Sequence, residues 1–257
     1  MTLIAHLSDV HIGDDARGVD RLRAVMAHLD ALAVDLDAVV VTGDVADHGR
    51  AEEYERAAAA LASRHPVLAC PGNHDDRAAF RSVLLGEPAP PAPPAPSAPV
   101  NRVHRAERFT LALCDSTIPG RDEGTLADET LDWLERVLAG NPPGVPVLIG
   151  FHHPPVPIHV PYLDGMRQFG TERLATLVER HPDVAGLLCG HAHTPAATTF
   201  AGRPLRIAPG VASALRYPWE RQDGPRDVLR LDQPPMVAFH ALDATGRLTT
   251  HYQVVPG

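Results

Sequence analysis

The side chains best suited to chemistry fall into five short motifs, each at the end of an apolar run that predicts a β-strand. In chain order the motifs are Asp9-Val10-His11, Gly43-Asp44, Gly72-Asn73-His74-Asp75, His152-His153 and Gly190-His191-Ala192-His193. Carboxylate, carboxamide and imidazole groups suit Mn, Fe and Zn ions, and the lack of cysteine in the motifs argues against a closed structural zinc site. Because α/β sheets present ligand sites at the carboxyl ends of their strands, the pattern predicts an open, hydrolytic metal centre.

The motifs are strong evidence for a metal site as an ordered set, and each is weak evidence alone. With 15 histidines in 257 residues, about one His-x-His pair is expected by chance. The pair His152-His153 leaves two alternatives for a ligand, and we favour His152 because it comes first at the strand end. Asp47, Asp115 and Ser116 also follow apolar runs, and for these we favour the role of turn residues.

A pair of ions held about 3.5–4 Å apart needs a ligand that can bridge them, and a carboxylate can do so. Asp44 is the candidate, because Gly43 before it lets the backbone turn sharply at the end of the strand. A water held between two such cations loses its proton near neutral pH and can attack phosphorus in line, so no protein nucleophile is required.

Taken in order, the motifs D-x-H, G-D, G-N-H-[DE], a strand-end His and G-H-x-H resemble the signature of the calcineurin-like metallophosphoesterases. The resemblance runs from Asp9 to His193, about three quarters of the chain. It implies a first metal held by Asp9, His11 and His193, a second held by Asn73, His152 and His191, and Asp44 as the shared ligand. It also implies that His74 acts on the phosphate or the leaving oxygen, as general acid or as a stabiliser of charge, and that Asp75 orients its imidazole.

Longer runs resemble the bacterial class III cyclic-nucleotide phosphodiesterases. These runs are Leu7-Ser8-Asp9-Val10-His11, Gly72-Asn73-His74-Asp75-Asp76-Arg77, Asp115-Ser116 followed by Pro119-Gly120, and His152-His153-Pro154-Pro155. The resemblance implies a homodimer that hydrolyses 3′,5′- or 2′,3′-cyclic AMP or GMP. Glycerophosphodiesters are the alternative substrates, and a metal-binding interaction module without turnover is a less favoured alternative function.

The elements that must position these motifs alternate between strands and amphipathic helices, which predicts an α/β fold. The resemblance makes this a four-layer α/β/β/α sandwich of two mixed sheets flanked by helices. We predict one domain over residues 1–257, with a Pro/Ala-rich surface loop at 88–99 and a C-terminal strand-rich part at 197–257. Predicted helices lie at 17–33, 51–63, 75–85, 128–139 and 171–180, and predicted strands at 3–7, 38–41, 67–70, 109–114, 145–151, 184–189, 197–200, 205–208, 237–241 and 249–254. The segment 213–235 stays unassigned.

Composition narrows the class of partner. A net charge of −9 and a pI near 5.9 disfavour binding to long nucleic acid and fit a small phosphodiester substrate. The chain shows no basic leader before its first strand and no apolar run long enough to span a bilayer, which predicts a cytoplasmic protein without a membrane partner. The three cysteines, Cys70, Cys114 and Cys189, each end an apolar run and are expected to be reduced and buried.

Overall fold

A computed structural model gives the fold and describes residues 1–87, 98–220 and 228–256. The strands are β1 (Thr2–Leu7), β2 (Ala38–Thr42), β3 (Val67–Cys70), β4 (Arg102–Arg105), β5 (Thr110–Leu113), β6 (Val147–Gly150), β7 (Val184–Cys189), β8 (Ala196–Phe200), β9 (Arg203–Ile207), β10 (Ala214–Leu215), β11 (Leu229–Arg230), β12 (Met236–Leu242) and β13 (Leu248–Val254). The helices are α1 (Arg17–Asp30), α2 (Ala51–Ala60), α3 (Arg77–Ala79), α4 (Asp128–Ala139), α5 (Pro161–Asp164) and α6 (Glu172–Arg180), and a π-helical segment, Phe80–Leu84, continues α3.

The strands form two mixed sheets and a small β10-β11 ribbon. The first sheet has the order β13-β12-β1-β2-β3, in which β1, β2 and β3 are parallel and β12 and β13 are antiparallel to their neighbours. The second sheet has the order β4-β5-β6-β7-β9-β8, with a parallel centre, β5-β6-β7-β9, and antiparallel edges. The parallel strands of each sheet place several carboxyl ends along one edge of the sandwich.

Three apolar clusters show how the layers pack. Helices α1 and α2 cover one face of the first sheet, where Leu22 and Tyr54 pack with Val39. Helices α4 and α6 cover the outer face of the second sheet. The third cluster lies between the sheets and includes Val40 and Leu148. The period-2 alternation of β1 and β2 therefore serves two cores, and the α/β/β/α prediction is confirmed.

Some local predictions were wrong. The predicted helix 75–85 begins later, because the Asp76 carboxylate accepts a hydrogen bond from Ala79 N at 2.8 Å and so caps α3. Strand β4 was missed, since its exposed, charged sequence is typical of a sheet edge and lacks an apolar face. The predicted loop 88–99 lies outside the described residues except for its last two positions.

The three cysteines are free and buried, as predicted. In the described part of the chain, no helix combines the length and the hydropathy needed to cross a bilayer.

Candidate metal centre

The five motifs come together because the first predicted ligand of each lies two or three residues after a parallel strand. The motifs follow β1, β2, β3, β6 and β7. A contact between these strand ends joins the two sheets: His152 Nδ1, which follows β6 of the second sheet, lies 2.6 Å from the carbonyl oxygen of Thr42 in β2 of the first sheet. The carboxyl ends of both sheets therefore meet at one edge of the sandwich.

Backbone strain is concentrated at this edge. Seven of the described non-glycine residues have a positive φ, and five of them are predicted ligands: Asp9, His11, Asp44, His191 and His193. Non-glycine residues avoid this left-handed region, and such strain clusters at functional sites. Gly43, with a φ of 88°, makes the sharp turn predicted before Asp44.

The first predicted ligand group lies together. His11 Nε2 and His193 Nε2 are 3.2 Å apart, and His193 Nε2 is 3.6 Å from Asp9 Oδ1. The outer nitrogen of each ring is anchored, with His11 Nδ1 2.9 Å from Asp47 Oδ1 and His193 Nδ1 2.7 Å from Ser213 Oγ. The inner nitrogens consequently face one point that one cation can share.

The second predicted group also lies together, and one of its two rings is anchored. His152 Nε2 lies 3.1 Å from Asn73 Oδ1 and 3.2 Å from His191 Nδ1. The Nδ1–H of His152 donates to the Thr42 carbonyl, so its Nε2 faces the other two side chains.

Asp44 lies between the two groups. Its Oδ2 is 3.6 Å from His11 Nε2 and 3.3 Å from His152 Nε2, while its Oδ1 accepts a hydrogen bond from His74 N at 3.0 Å. Gly72 makes room for this carboxylate, since a Cβ at Gly72 would lie 2.2 Å from Asp44 Oδ1. Burial alone would raise the pKa of Asp44, but His152 and His11 beside it hold the pKa well below its usual range.

Buried atoms without partners test whether a cation fits. Both carboxylate oxygens of Asp9 are buried and have no hydrogen-bond partner among the described residues. A buried carboxylate without a partner is costly unless a cation compensates it. The oxygen and nitrogen donors match the preference of Mn, Fe and Zn, so the residues present fit a two-ion centre.

The same electrostatics separate the imidazoles. Burial lowers the pKa of His11, but its hydrogen bond to Asp47 and the charges of Asp44 and Asp9 raise it to about 9. Burial also lowers the pKa of His152, but the negative charge of Asp44 and its hydrogen bond to the ring raise this pKa to about 9. The pKa of His191 is lowered to about 3 by burial and by the charge of His152.

His153 differs from His152 in its partners. Its Nδ1 lies 2.8 Å from Ser116 Oγ and its Nε2 lies 3.1 Å from the Asp122 carbonyl oxygen. Although the ring is close enough to His152 and His191 to form a cluster with them, both of its nitrogens are engaged by protein. This favours His152 as the ligand and gives Ser116 the role of holding His153.

Asp75 has a different set of contacts from the predicted one. Its carboxylate accepts hydrogen bonds from Gly72 N at 2.8 Å, Val45 N at 3.2 Å, Ala46 N at 3.0 Å and Tyr54 OH at 3.0 Å. The prediction that Asp75 orients the imidazole is wrong, because the carboxylate points inward to satisfy these backbone groups. Asp75 instead ties the loop that carries Asp44 to the loop that carries Asn73 and His74.

Asp47 stands beside His74 instead. His74 Nδ1 lies 2.8 Å from the Asp47 carbonyl oxygen and 3.7 Å from its Oδ1, and Asp47 Oδ1 also holds His11. Sequence reasoning treated Asp47 as a turn residue. Its position three residues after Asp44 in the same loop was the available signal.

The centre forms the floor of a cleft of about 710 Å³. The exposed residues Asp14, Asp15 and Asp122 give the cleft an acidic rim, and apolar side chains also line it.

A profile of the calcineurin-like phosphoesterase family matches residues 2–195. The chain belongs to the calcineurin-like phosphoesterase family. A glycerophosphodiester phosphodiesterase, GpdQ, from Enterobacter lignolyticus is 34% identical over 231 residues, which cover 84% of this chain and 79% of the relative. A probable cyclic nucleotide phosphodiesterase from Rhodococcus erythropolis is 36% identical over 218 residues, covering 80% and 69%. The 3′,5′-cyclic adenosine monophosphate phosphodiesterase CpdA of Escherichia coli is 32% identical over 214 residues, covering 80% and 74%.

Solved structures with this fold include phosphatases. A dimetal phosphatase from Danio rerio superposes with a TM-score of 0.65 at 17% identity, covering 93% of this chain and 92% of that one. A purple acid phosphatase from yellow lupin superposes with a TM-score of 0.69 at 14% identity, covering 99% and 51%. These likenesses concern the fold. The family match and the phosphodiesterase relatives make this chain a metal-dependent phosphodiesterase.

Proposed function

We propose that this phosphoesterase hydrolyses small phosphodiesters, with cyclic nucleotides, the 3′,5′- or 2′,3′-cyclic forms of AMP and GMP, as its main substrates. The observation that carries the proposal is the position of Asp44 Oδ2, 3.6 Å from His11 Nε2 and 3.3 Å from His152 Nε2. One carboxylate oxygen is thereby placed between two groups of ligand atoms, which is the arrangement that a pair of ions requires.

The proposed ligands are those predicted from the sequence. Asp9, His11 and His193 would hold one ion, Asn73, His152 and His191 the other, and Asp44 both; Mn, Fe or Zn would suit these donors. The bound ions would supply Lewis acidity and would lower the pKa of a water to about 7. The buried, anchored rings supply orientation, because Asp47, Ser213 and Thr42 hold their outer nitrogens.

His74 is the proposed catalytic residue that is not a ligand. Its Nδ1–H donates to the Asp47 carbonyl, which fixes the ring and leaves Nε2 to donate a proton to the departing oxygen or to neutralise the phosphate. The acidic rim and the net charge of −9 support a small substrate.

Hydrolysis of bis(p-nitrophenyl) phosphate by the Mn-loaded protein, with and without chelator, tests the reaction. We expect release of nitrophenolate that the chelator abolishes. Absence of chelator-sensitive release would favour the alternative of a metal-binding interaction module.

Turnover of 3′,5′-cyclic AMP, 2′,3′-cyclic AMP, glycerophosphocholine and a phosphomonoester on one preparation tests the substrate. We expect the cyclic nucleotides to be cleaved best. Glycerophosphodiesters are the second candidate, supported by the likeness to GpdQ, and a preference for the monoester would contradict both. A single domain over 1–257, a homodimer and a cytoplasmic location remain part of the proposal, and the size of the protein in solution tests the dimer.

A further inference from the structure

The cleft that contains the polar centre also has a large apolar part to its lining. That part is formed by Tyr162, Leu163, Met166, Leu215, Val228, Leu229 and Leu231. Tyr162, Leu229 and Leu231 are 60%, 45% and 55% exposed, so three of the large exposed hydrophobic side chains in the described part of the chain share one cleft. Exposed apolar surface collected beside a site indicates a binding surface. We call these seven residues the apolar wall.

The apolar wall is held in place by hydrogen bonds. Leu229 belongs to β11, which pairs with β10 so that Leu215 lies opposite Leu229, and Arg216 N donates to Val228 O at 2.9 Å. On the other side, the short helix α5 that carries Tyr162 is fixed by the hydrogen bond from Ile158 N to Asp164 Oδ1 at 2.7 Å. The two parts of the wall thus rest on separate, internally bonded segments.

Two arginines of α1 fix the segment that follows β11. The Arg17 guanidinium donates to the Leu231 carbonyl. Arg21 donates to the carbonyls of Val211 at 2.6 Å and Gln233 at 2.5 Å. The Arg21 guanidinium therefore binds backbone acceptors before β10 and after β11, and Arg17 binds one after β11, which ties the wall to helix α1 of the first sheet.

We infer that the apolar wall is the subsite that holds the aromatic group of the substrate, such as a nucleobase, next to the metal centre, and that Arg17 and Arg21 are its positioning residues. The inference rests on the proposed function and names the part of the substrate that the cleft selects. Leucine and tyrosine side chains gain by covering a planar apolar ring, whereas a glycerol group of a glycerophosphodiester offers little apolar surface to them. The wall is preformed, so little ordering opposes binding.

The first test compares KM for 3′,5′-cyclic AMP with KM for glycerophosphoethanolamine in Tyr162→Ala and Leu229→Ser. We expect each substitution to raise the KM for cyclic AMP about 10-fold, the loss expected of an apolar contact, and to change the KM for glycerophosphoethanolamine by less than about twofold. Phe169→Ala is the matched control, because Phe169 is 40% exposed and does not line the cleft. It should change neither value.

The second test separates positioning from stability. Arg17→Ala should raise the KM for cyclic AMP several-fold without changing kcat, and Arg17→Lys, which keeps one donor for the Leu231 carbonyl, should restore most of the affinity. Arg23→Ala, on an exposed face of the same helix, is the control. A merely structural role for Arg17 would lower the thermal midpoint and move the values for both substrates together.

Equal KM changes for both substrates, or none, in the wall variants would overturn the inference while leaving the proposed function intact. Failure of the wild-type protein to hydrolyse bis(p-nitrophenyl) phosphate in a chelator-sensitive way would instead contradict the proposed function itself.

Discussion

The protein buries two groups of histidines, and they differ in how their ring nitrogens are satisfied. In the core of the first sheet, His6 Nε2 lies 2.9 Å from Thr42 Oγ1, His6 Nδ1 lies 3.0 Å from His240 Nε2, and His240 Nδ1 lies 2.8 Å from Thr250 Oγ1. These hydrogen bonds link side chains of four neighbouring strands, β2, β1, β12 and β13, and give every ring nitrogen of the two histidines a partner. At the metal centre, by contrast, Asp9 keeps buried polar atoms without partners among the described residues.

The contrast shows that a high count of histidines does not by itself indicate a metal site. Both groups are placed by β-strands. Only the group at the metal centre includes carboxylates, and only there do ring nitrogens of different histidines face a common point. A buried polar chain that is fully satisfied serves packing, whereas a group that is left unsatisfied is arranged for a ligand.

The largest expected effect comes from removing the shared carboxylate. Asp44→Ala should abolish binding of both ions and lower kcat/KM for bis(p-nitrophenyl) phosphate by at least ~10⁴-fold, because the ions supply several kcal/mol of transition-state stabilisation. Metal analysis of the purified protein measures the loss. Asp20→Ala, which removes an exposed carboxylate, is the control, and an Asp44→Ala protein that still holds two ions would remove Asp44 from the bridging position.

His74→Ala should keep both ions and lose turnover. We expect kcat to fall by roughly 10²–10³-fold, the usual range for losing a general acid or a stabiliser of charge. Metal content is the decisive second measurement, since His74 is placed beside the ligands and is not predicted to be one. Loss of metal in this variant would show that its role is coordination.

Asp47→Asn tests the anchoring of His11. The amide removes the charge that faces His11 Nδ1 across 2.9 Å, and such partners of ligand rings are worth about 10–100-fold in metal affinity or activity. The Mn concentration for half-maximal activity should therefore rise. Asp122→Asn, on the cleft rim, is the matched control; similar curves for both variants would mean that rim charge, and not the contact with His11, attracts the ion.

The sequence placed most of this centre because the relevant information is local. Strand-end motifs such as Gly43-Asp44 are read directly, and parallel strands bring their carboxyl ends together whatever the intervening residues are. The contacts of Asp75 and Asp47 could not be predicted from the sequence, because they depend on the direction in which each carboxylate points within two adjoining loops. The apolar wall was equally hidden, since Tyr162 and Leu229 are far apart in the chain and lie in short elements, α5 and β11, with no periodic pattern.

The smallest expected effects lie in the core histidine chain. His6→Leu should lower the free energy of unfolding by about 1–3 kcal/mol, because Thr42 and His240 each lose a buried hydrogen-bond partner. Metal content and KM should stay close to the wild-type values. The double variant His6→Leu/His240→Leu should lose less than the sum of the single losses, since neither imidazole is then left without its partner.

The pH dependence gives a sharper form of the same comparison. Burial lowers the pKa of His240 to about 3, and burial together with the neighbouring His240 holds the pKa of His6 well below its usual range. Unfolding raises both values to near 6.5, so below pH 6.5 the unfolded chain binds more protons than the folded one, and stability falls as the pH falls from 6.5 toward 3. The loss amounts to up to about 1.4 kcal/mol per pH unit for each histidine.

Urea unfolding in chelator from pH 7 to pH 4.5 tests this expectation. The free energy of unfolding should fall more steeply with pH for the wild type than for the double leucine variant. The histidines of the metal centre contribute equally to both proteins and cancel in the comparison. Parallel curves would mean that His6 and His240 can be protonated within the folded core. The hydrogen-bonded series of these histidines would then not differ from the metal centre as a purely structural group.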